Sequence, residues 1–436
     1  MISVQKNTIM RLFVILAVLL LFGSMQADAK IPGISGPTFN LRALKGNIIA
    51  DDGKSIFMWG FANASGQRVR FQYPGPTLIV NQGQTVTVNL SNTLPVPVSI
   101  VFPGQTGVSA TGGVHGLLTR EAPPGGSVSY SFVAGEPGTY IYYSGTMPEL
   151  QVEMGLLGAL IVRPSAITIP AGYAGCAYNT PDSCYHREYL QFLTDADHTI
   201  HDLVLLNKIP QVDNTAAYPV YWFINGRAGL DTVARNFAPY LPSQPYSALV
   251  RMHPSEKILV RMIGGVRDLH PHHLHGNQHS VIARDGRPLK GPAGQDLSEG
   301  LFTSTIAPGQ TTDALFSWTG ENIGWDIYGN TPHTCNPGPD GFDPVSKEYC
   351  ADHGKPFPVV LPDQNDLTFG IFYSGSPYLG SPGSLPPGEG GLNPTAGLFF
   401  MWHSHNEKEL TTNNIFPGGM MTWASVEHPS VILPAE

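Results

Sequence analysis

Short stretches in which apolar and polar residues alternate run along most of the chain. The stretch TLIVNQGQTVTVNLSN at 77–92 alternates on both sides of a Gln-Gly turn, and Val128, Tyr130 and Phe132 alternate in a later stretch. Alternation places successive side chains on opposite faces, so each stretch predicts a strand with one buried face. Strands at this spacing, with turns between them, predict a Greek-key β-sandwich at about 36–165.

A second series of strands follows a predicted linker at about 166–187. Its strands include YWFING, KILVRMIGG, GLFFMWHSH and MMTWASVEHP. A long polar stretch at about 319–366 interrupts the series and predicts a surface insertion. The chain is therefore expected to be all-β, with two Greek-key sandwich domains at 36–165 and 188–436.

Composition agrees with this architecture and limits the partners. Charged residues make up only 13% of the 436 residues, whereas 49 glycines and 39 prolines mark the ends of elements. The formal net charge is −9 at pH 7. This charge argues against nucleic acid or an anionic membrane surface as a partner, because both require a basic face.

The first 29 residues have the pattern of a secretory signal peptide. Lys6 and Arg11 supply the positive charge, an apolar run follows at 12–22, and the tripeptide ADA at 27–29 resembles a cleavage site. The alternative is an uncleaved N-terminal anchor, although the apolar run is short for a membrane span. The pattern predicts an exported protein, periplasmic or secreted, without a membrane span after the signal is removed.

The four cysteines fall into two local pairs, Cys176 with Cys184 and Cys335 with Cys350. In an exported protein such pairs predict two disulfides that close short loops. The alternative is a cysteine-rich metal site. The wide separation of the pairs and the absence of a CxxC motif argue against it.

Two histidine-rich motifs, DLHPHHLHGNQHS and WHSH, stand out in the second half. Residues two apart on a strand share a face, so His273 projects with His275, and His403 projects with His405. His272 is out of phase and is expected to face away. Imidazole is the commonest protein ligand for transition metals. Two neighbouring strands that carry these pairs are therefore predicted to place four nitrogens around one metal site.

The motifs YPGPTLIVNQGQTVTV, HPHHLHG and WHSHNEKE followed by GGMM resemble those of multicopper oxidases, the laccase-like cupredoxins. The similarity extends from about residue 40 to 428. The resemblance implies cupredoxin domains, a type 1 copper that accepts electrons, and a trinuclear copper cluster that reduces dioxygen to water. Four HxH pairs bind that cluster in the family.

The resemblance carries over only in part to the second half. His270 falls on the type 1 histidine, and the cluster ligands fall on His273, His275, His403 and His405. Ser404 occupies the position of the type 1 cysteine, and Glu409 that of the second type 1 histidine. No type 1 copper is expected, because the thiolate gives that site its character.

The first half departs further from the family. The positions of its four cluster ligands hold Val101, Pro103, Tyr143 and Gly145. Tyr143 is either a residue that faces the metal or a packing residue, and His115 is either a site residue or an exposed loop residue. Glu407 and Glu409 are expected to hydrogen-bond the N–H groups of ligand rings.

Three functions remain open from the sequence. The first is a copper-dependent oxidoreductase that acts on a small molecule or metal ion at a mono- or dinuclear histidine site. The second is a non-catalytic copper-binding or copper-sequestering protein on an oxidase scaffold. The third, a structural module, has no need of two HxH pairs. The resemblance favours the enzyme, and it also implies a homotrimer, because two-domain relatives often form trimers.

Overall fold

The structure is a computed structural model that describes residues 30–329, 332–358, 378–379, 383–384, 392–393 and 397–433. The predicted signal segment at 1–29 and part of the predicted insertion lie outside the described residues. Strands predominate within the described part of the chain, and its helices are short. This confirms the predicted all-β class.

The first half of the chain forms two main sheets. Its strands are β1 (Ile34–Ser35), β2 (Thr38–Ile49), β3 (Ser55–Asn63), β4 (Gly75–Asn81), β5 (Thr85–Asn92), β6 (Ser109–Gly112), β7 (Val114–His115), β8 (Arg120–Glu121), β9 (Ser127–Val133), β10 (Gly138–Tyr143) and β11 (Leu157–Arg163). One sheet has the order β1-β4-β11-β10 and the other β3-β2-β5-β9-β6, while β7 pairs with β8.

The alternating residues of the first half fill the space between these sheets. Val86 and Val88 of β5 and Tyr130 and Phe132 of β9 are buried in one apolar core. Their polar neighbours along each strand are more exposed. The predicted strands with one buried face are thus confirmed in this half.

The second half forms a larger pair of sheets. Its strands are β12 (Gly175–Cys176), β13 (Cys184–Tyr185), β14 (Arg187–Ala196), β15 (Tyr221–Ile224), β16 (Val250–Met252), β17 (Lys257–Gly264), β18 (His270–Leu274), β19 (His279–Arg284), β20 (Arg287–Pro288), β21 (Glu299–Leu301), β22 (Thr303–Ile306), β23 (Thr311–Ser317), β24 (Gly383–Ser384), β25 (Leu392–Asn393), β26 (Leu398–Ser404) and β27 (Met421–Val426).

Two of these sheets enclose the second core. One has the order β15-β14-β17-β23-β19-β20, with β21 also paired to β19, and the other has the order β16-β27-β26-β18-β22. Trp222, Val260, Trp402 and Ala424 lie in the shared core. The strand pair β18–β26 at the centre of the smaller sheet carries both histidine motifs.

Buried charges join the two halves of the chain. The Arg261 guanidinium lies 3.1 Å from a Glu188 oxygen and 3.4 Å from an Asp313 oxygen. Arg163, at the end of β11, pairs with Glu188, and the Thr139 hydroxyl of β10 donates to Asp313. Burial would raise the pKa of Glu188, but the two arginines lower it to about 2. Sheets from the two halves are therefore joined by the Arg163–Glu188 ion pair and the Thr139–Asp313 hydrogen bond, at the edge of a buried charge network. The predicted domain boundaries stay predictions.

Both predicted disulfides are present. Cys176–Cys184 joins β12 to β13, and Cys335–Cys350 closes a loop within the predicted insertion. The insertion does not lie only at the surface, because Ile327 and Tyr328 are 2% and 3% exposed and pack in the core of the second half.

The helices connect strands. They are α1 (Pro148–Gln151) and α2 (His198–Leu205), with 3₁₀ turns at Pro181–Ser183, Ile209–Gln211, Asn214–Ala216, Gly229–Val233, Cys350–Asp352 and Glu407–Leu410. Helix α2 begins after Asp197, whose carboxylate accepts a hydrogen bond from the Thr199 N–H. No helix in the described ranges is long and apolar enough to cross a membrane.

Candidate metal centre

The two histidine motifs lie on neighbouring antiparallel strands, β18 and β26. His273 is directly opposite His403 in the register of this pair. The N–H groups of His275 and His405 extend the backbone pairing past the strand ends. Because side chains two apart share a face, all four rings project from the same side of the sheet. We call these four residues the outward quartet.

The rings of the outward quartet touch one another. Their centroids are 4.8 Å apart for His273 and His405 and for His275 and His403, and 5.4–5.7 Å apart for three other pairs. Ligand nitrogens of His273, His275 and His403 lie within 4.8 Å of one another. The structure thus brings together the two pairs that the sequence singled out.

Hydrogen bonds at Nδ1 orient two of the quartet rings. His403 Nδ1 lies 2.6 Å from the Ser404 carbonyl oxygen, which only accepts, so neutral His403 carries its proton on Nδ1. His273 Nδ1 lies 2.8 Å from the Thr303 hydroxyl. The protein thus engages Nδ1 of both rings, which leaves Nε2 as the nitrogen for a ligand bond, as in most metal-binding histidines.

The quartet fits a transition-metal ion. The Nε2 atoms of His275 and His403 are 2.8 Å apart. Two nitrogens bound to one tetrahedral ion at ordinary bond lengths are ~3.3 Å apart. A slight separation of the rings would therefore admit an ion between these atoms, with the Nε2 proton of His275 displaced.

Burial and neighbouring rings favour the neutral form of three quartet imidazoles. Burial, with the neighbouring rings, lowers the pKa of His403 to about 4. The pKa values of His273 and His275 are also lowered, by burial and then by nearby histidines. Since a metal binds the unprotonated nitrogen, these three rings are suited to a cation at neutral pH.

One side of the quartet faces solvent. His275 is exposed, and the His405 side chain is 54% exposed. The Glu407 carboxylate lies 3.6 Å from His405 Nδ1, beside a quartet ring but beyond hydrogen-bond distance, so its predicted hydrogen bond to a ligand ring is not formed in this structure. His403 is buried beneath them at 5% exposure. A small molecule can therefore approach the site from the side of His275 and His405.

Two histidines of the first motif lie in the interior instead. His272 Nε2 is 2.7 Å from the Gln191 amide oxygen, and His279 Nε2 is 2.7 Å from the Ser304 hydroxyl. Both rings pack on Trp402, with centroid distances of 5.5 and 5.6 Å. The expectation that His272 faces away from the HxH pairs is confirmed.

The residues at the type 1 positions form a hydrogen-bonded group in the interior. His270 Nδ1 lies 2.9 Å from the Glu409 carboxylate, and His270 Nε2 lies 3.7 Å from Asp195. Ser404 is fully buried, and its hydroxyl accepts from the Asn406 N–H. Thus His270 does not join the outward quartet, and Glu409 supports His270 rather than a quartet ring. A carboxylate fills the position of the second type 1 histidine.

Three of the corresponding positions of the first half are closed, and the fourth, Pro103, is exposed. Val101 and Tyr143 are opposite each other in an antiparallel bridge, as His273 and His403 are in the second half. A Cβ added to Gly145 would lie 2.7 Å from the Val101 side chain, so this position has no space for an imidazole. Tyr143 packs beside an apolar core. His115 is exposed, with its Nε2 3.2 Å from Arg120.

Sequence reasoning missed Thr303. This residue is adjacent to His273 only through the register of β18 and β22. Nothing in the short sequence between them indicates that register. The same holds for Asp195 beside His270, which comes from a strand of the other sheet.

Comparisons with known proteins agree with the fold. A family model described as multicopper oxidase matches residues 59–167. Multicopper oxidase MCE of Talaromyces pinophilus is 38% identical over 95 residues, which cover 21% of this chain and 15% of that protein. Laccase-1 of Cryptococcus neoformans is 26% identical over 272 residues, which cover 57% of this chain and 38% of that protein. The matches thus span less than half of these curated relatives.

Solved structures show the same architecture over most of the chain. A blue copper oxidase from Nitrosomonas europaea has a TM-score of 0.55 at 18% identity, covering 89% of this chain and 85% of that one. The multicopper oxidase mgLAC has a TM-score of 0.53 at 17% identity, covering 91% and 87%. The resemblance to the laccase-like multicopper oxidases is confirmed, and the solved structures share the fold. The family model matches the half of the chain in which three of the ligand positions are closed.

Proposed function

We propose that the chain is a copper-dependent oxidoreductase whose outward quartet binds one or two copper ions without a type 1 copper. The observation that carries this proposal is the convergence of four imidazoles, three of them with lowered pKa values, on one partly exposed patch. Relatives named as multicopper oxidases and laccases support copper and oxidation chemistry as the function of such a site.

Each quartet residue has a distinct part in this proposal. His273 and His403 provide Nε2 atoms whose direction is fixed by Thr303 and by the Ser404 carbonyl. His275 and His405 complete the donor set at the solvent side. Bound copper would supply one-electron chemistry between Cu(II) and Cu(I), for which imidazole ligands are suitable.

The interior beneath the quartet argues against the laccase route of electron transfer. That route begins at a thiolate-bound copper, and this chain has Ser404 and a His270–Glu409 pair at the positions of its ligands. We therefore infer that a small-molecule or metal-ion substrate is oxidised directly at the quartet. The exposed sides of His275 and His405 leave room for the substrate to approach.

Copper loading followed by oxygen uptake tests this function. The purified chain is expected to bind one or two copper ions and to lack the intense blue colour of a thiolate–copper centre. It is expected to consume dioxygen with at least one donor among phenols, Cu(I), Fe(II) and Mn(II). His403→Ala combined with His405→Ala should abolish tight binding and uptake together.

His115→Ala is the matched control, because His115 is exposed and lies outside the quartet. It should retain copper and activity. Full copper retention in the double variant would contradict the proposed site. Copper binding without oxygen uptake for any donor would contradict the enzyme and favour a copper-binding protein.

Export and assembly stay predictions of the sequence and its resemblance. Mass spectrometry of the secreted or periplasmic protein should give an N-terminus at Lys30 if the signal is removed as predicted. Light scattering distinguishes a monomer from the predicted homotrimer.

A further inference from the structure

A second group of ligand-type side chains lies in the insertion, away from the strand pair that carries the quartet. Asp326, His333, Glu348 and His353 each offer one nitrogen or carboxylate oxygen, and these four atoms all lie within 4.8 Å of one another. We propose that these residues, the insertion cluster, form a separate site for one divalent ion of the zinc class.

The carboxylates and imidazoles of the insertion cluster alternate around a common centre. His333 Nε2 lies 3.1 Å from Glu348 and 3.6 Å from Asp326, while His353 Nδ1 lies 2.8 Å from Glu348 and 3.5 Å from Asp326. Ligand atoms around a tetrahedral zinc ion are ~3.3 Å apart. The observed spacing therefore needs only small movements to surround one ion.

Charge balance favours a cation at this centre. Asp326 and Glu348 are each only 2% exposed, and buried carboxylates require compensation. Among the residues that the structure describes, no lysine or arginine forms an ion pair with either of them, and the nearby Lys355 pairs with Asp352 instead. One divalent ion would neutralise both carboxylates while the two histidines stay neutral.

The surrounding backbone holds the Asp326 carboxylate in place. Asp326 accepts hydrogen bonds of 2.8 Å from the N–H groups of Tyr328 and Gly354, one on each oxygen. The Tyr328 ring packs against His333, with centroids 5.1 Å apart. Such support around the ligands is typical of metal sites, where it fixes the ligand geometry before the ion arrives.

The disulfide restricts the same segments. Cys335 is two residues after His333, and Cys350 lies between Glu348 and His353. The bond therefore brings three of the four ligand-type residues near one another, and the ion would connect them to Asp326. We infer a structural role, in which the ion fastens the insertion to the core residues Ile327 and Tyr328 that follow Asp326.

The donor set indicates the class of ion. Two nitrogens and two carboxylate oxygens, without sulfur, suit zinc in four-coordinate geometry. Divalent copper binds most nitrogen and oxygen sites more tightly than zinc, so the test must be made without copper.

The experiment uses the full chain with His403→Ala and His405→Ala, which removes the outward quartet as a competing site. The protein is stripped with a chelator and dialysed against Zn²⁺, and zinc is counted by mass spectrometry. We expect one zinc ion per chain and a higher melting temperature with zinc, since binding stabilises the folded state. Tetrahedral Co²⁺ in place of zinc should give visible absorption bands.

Glu348→Gln and, separately, His353→Asn should weaken zinc binding by at least ~10-fold. Glu321→Gln, an exposed carboxylate of the same insertion, is the matched control and should bind zinc normally. If the His403→Ala, His405→Ala chain did not take up one zinc ion after stripping and dialysis against Zn²⁺, the proposal would be overturned. Unchanged zinc affinity in either cluster variant would overturn it as well, with far-ultraviolet circular dichroism used to confirm that the variants are folded.

Discussion

The histidines of the two motifs occupy two different environments. In the outward quartet the rings contact one another, and two of them reach solvent. His270, His272 and His279 point into the protein, and each is held by a side chain, Glu409, Gln191 or Ser304. We call these three the interior histidines.

This difference shows how one residue type serves two purposes within a few positions. An interior histidine is fully buried and contacts a side chain of the core rather than a quartet ring, so its contribution is to packing and hydrogen bonding. A quartet histidine directs a nitrogen at other imidazoles, which cannot all satisfy one another at once. The outward rings are therefore available to a metal ion, and the interior rings contribute to folding. The predictions below test this separation.

The largest effect is expected from removing a partner of an interior histidine. Glu409→Ala leaves His270 Nδ1 without its 2.9 Å partner in a fully buried position. Stability should fall by about 3 kcal/mol, measured by urea unfolding of the copper-free protein. Glu407→Ala is the matched control, because this nearby carboxylate is 73% exposed, and it should unfold like the parent. Equal losses in both variants would contradict the separation of the two environments.

A smaller effect is expected on copper affinity when the support of a quartet ring is removed. Thr303→Val keeps the shape of the side chain but removes the hydroxyl beside His273 Nδ1. Copper affinity should fall ~10–100-fold, measured by competition with a chelator of known affinity. Thr305→Val is the control: Thr305 is an exposed residue of the same strand, and its replacement should leave the copper affinity unchanged. Equal copper affinities for Thr303→Val and the parent would show that this hydrogen bond does not orient the ring.

The pH dependence of stability gives a third test on the copper-free protein. The pKa of His403 is about 4 in the folded chain, against an ordinary value of 6.5, so the unfolded chain binds more protons between these pH values. The contribution of neutral His403 to the free energy of unfolding is fully present above pH 6.5 and is lost as the pH falls through 4. The expected loss is about 1 kcal/mol, since the neighbouring rings are open to solvent.

Unfolding of the parent and His403→Asn at pH 7 and pH 4.5 measures that contribution. The variant should lose less stability between the two pH values than the parent does. His279 also has a pKa of about 4, so it remains in both proteins as a constant contribution. Identical pH dependence in the two proteins would mean that folding does not lower the pKa of His403.

The sequence predicted the outward quartet because period-two alternation on strands is a local property. It also predicted the disulfides, because each pair is close in sequence. It did not predict the Thr303 contact or the pairing of His270 with Glu409, since both depend on how separate strands align. The insertion cluster was missed because its residues are spread over 28 positions without a motif. The burial of Ile327 and Tyr328 was not predicted, because the stretch that contains them is polar overall.

The smallest effect is expected for a quartet residue in the absence of copper. His405 is 54% exposed, and its closest carboxylate, Glu407, is more exposed still, so their interaction contributes little. His405→Ala should therefore change the stability of the copper-free protein by less than about 0.5 kcal/mol. The same variant should lose most of the rise in melting temperature that copper gives the parent, because that rise follows binding affinity. If His405→Ala unfolded the copper-free protein, or kept the full copper-dependent rise, the quartet would be a structural feature and not a ligand set.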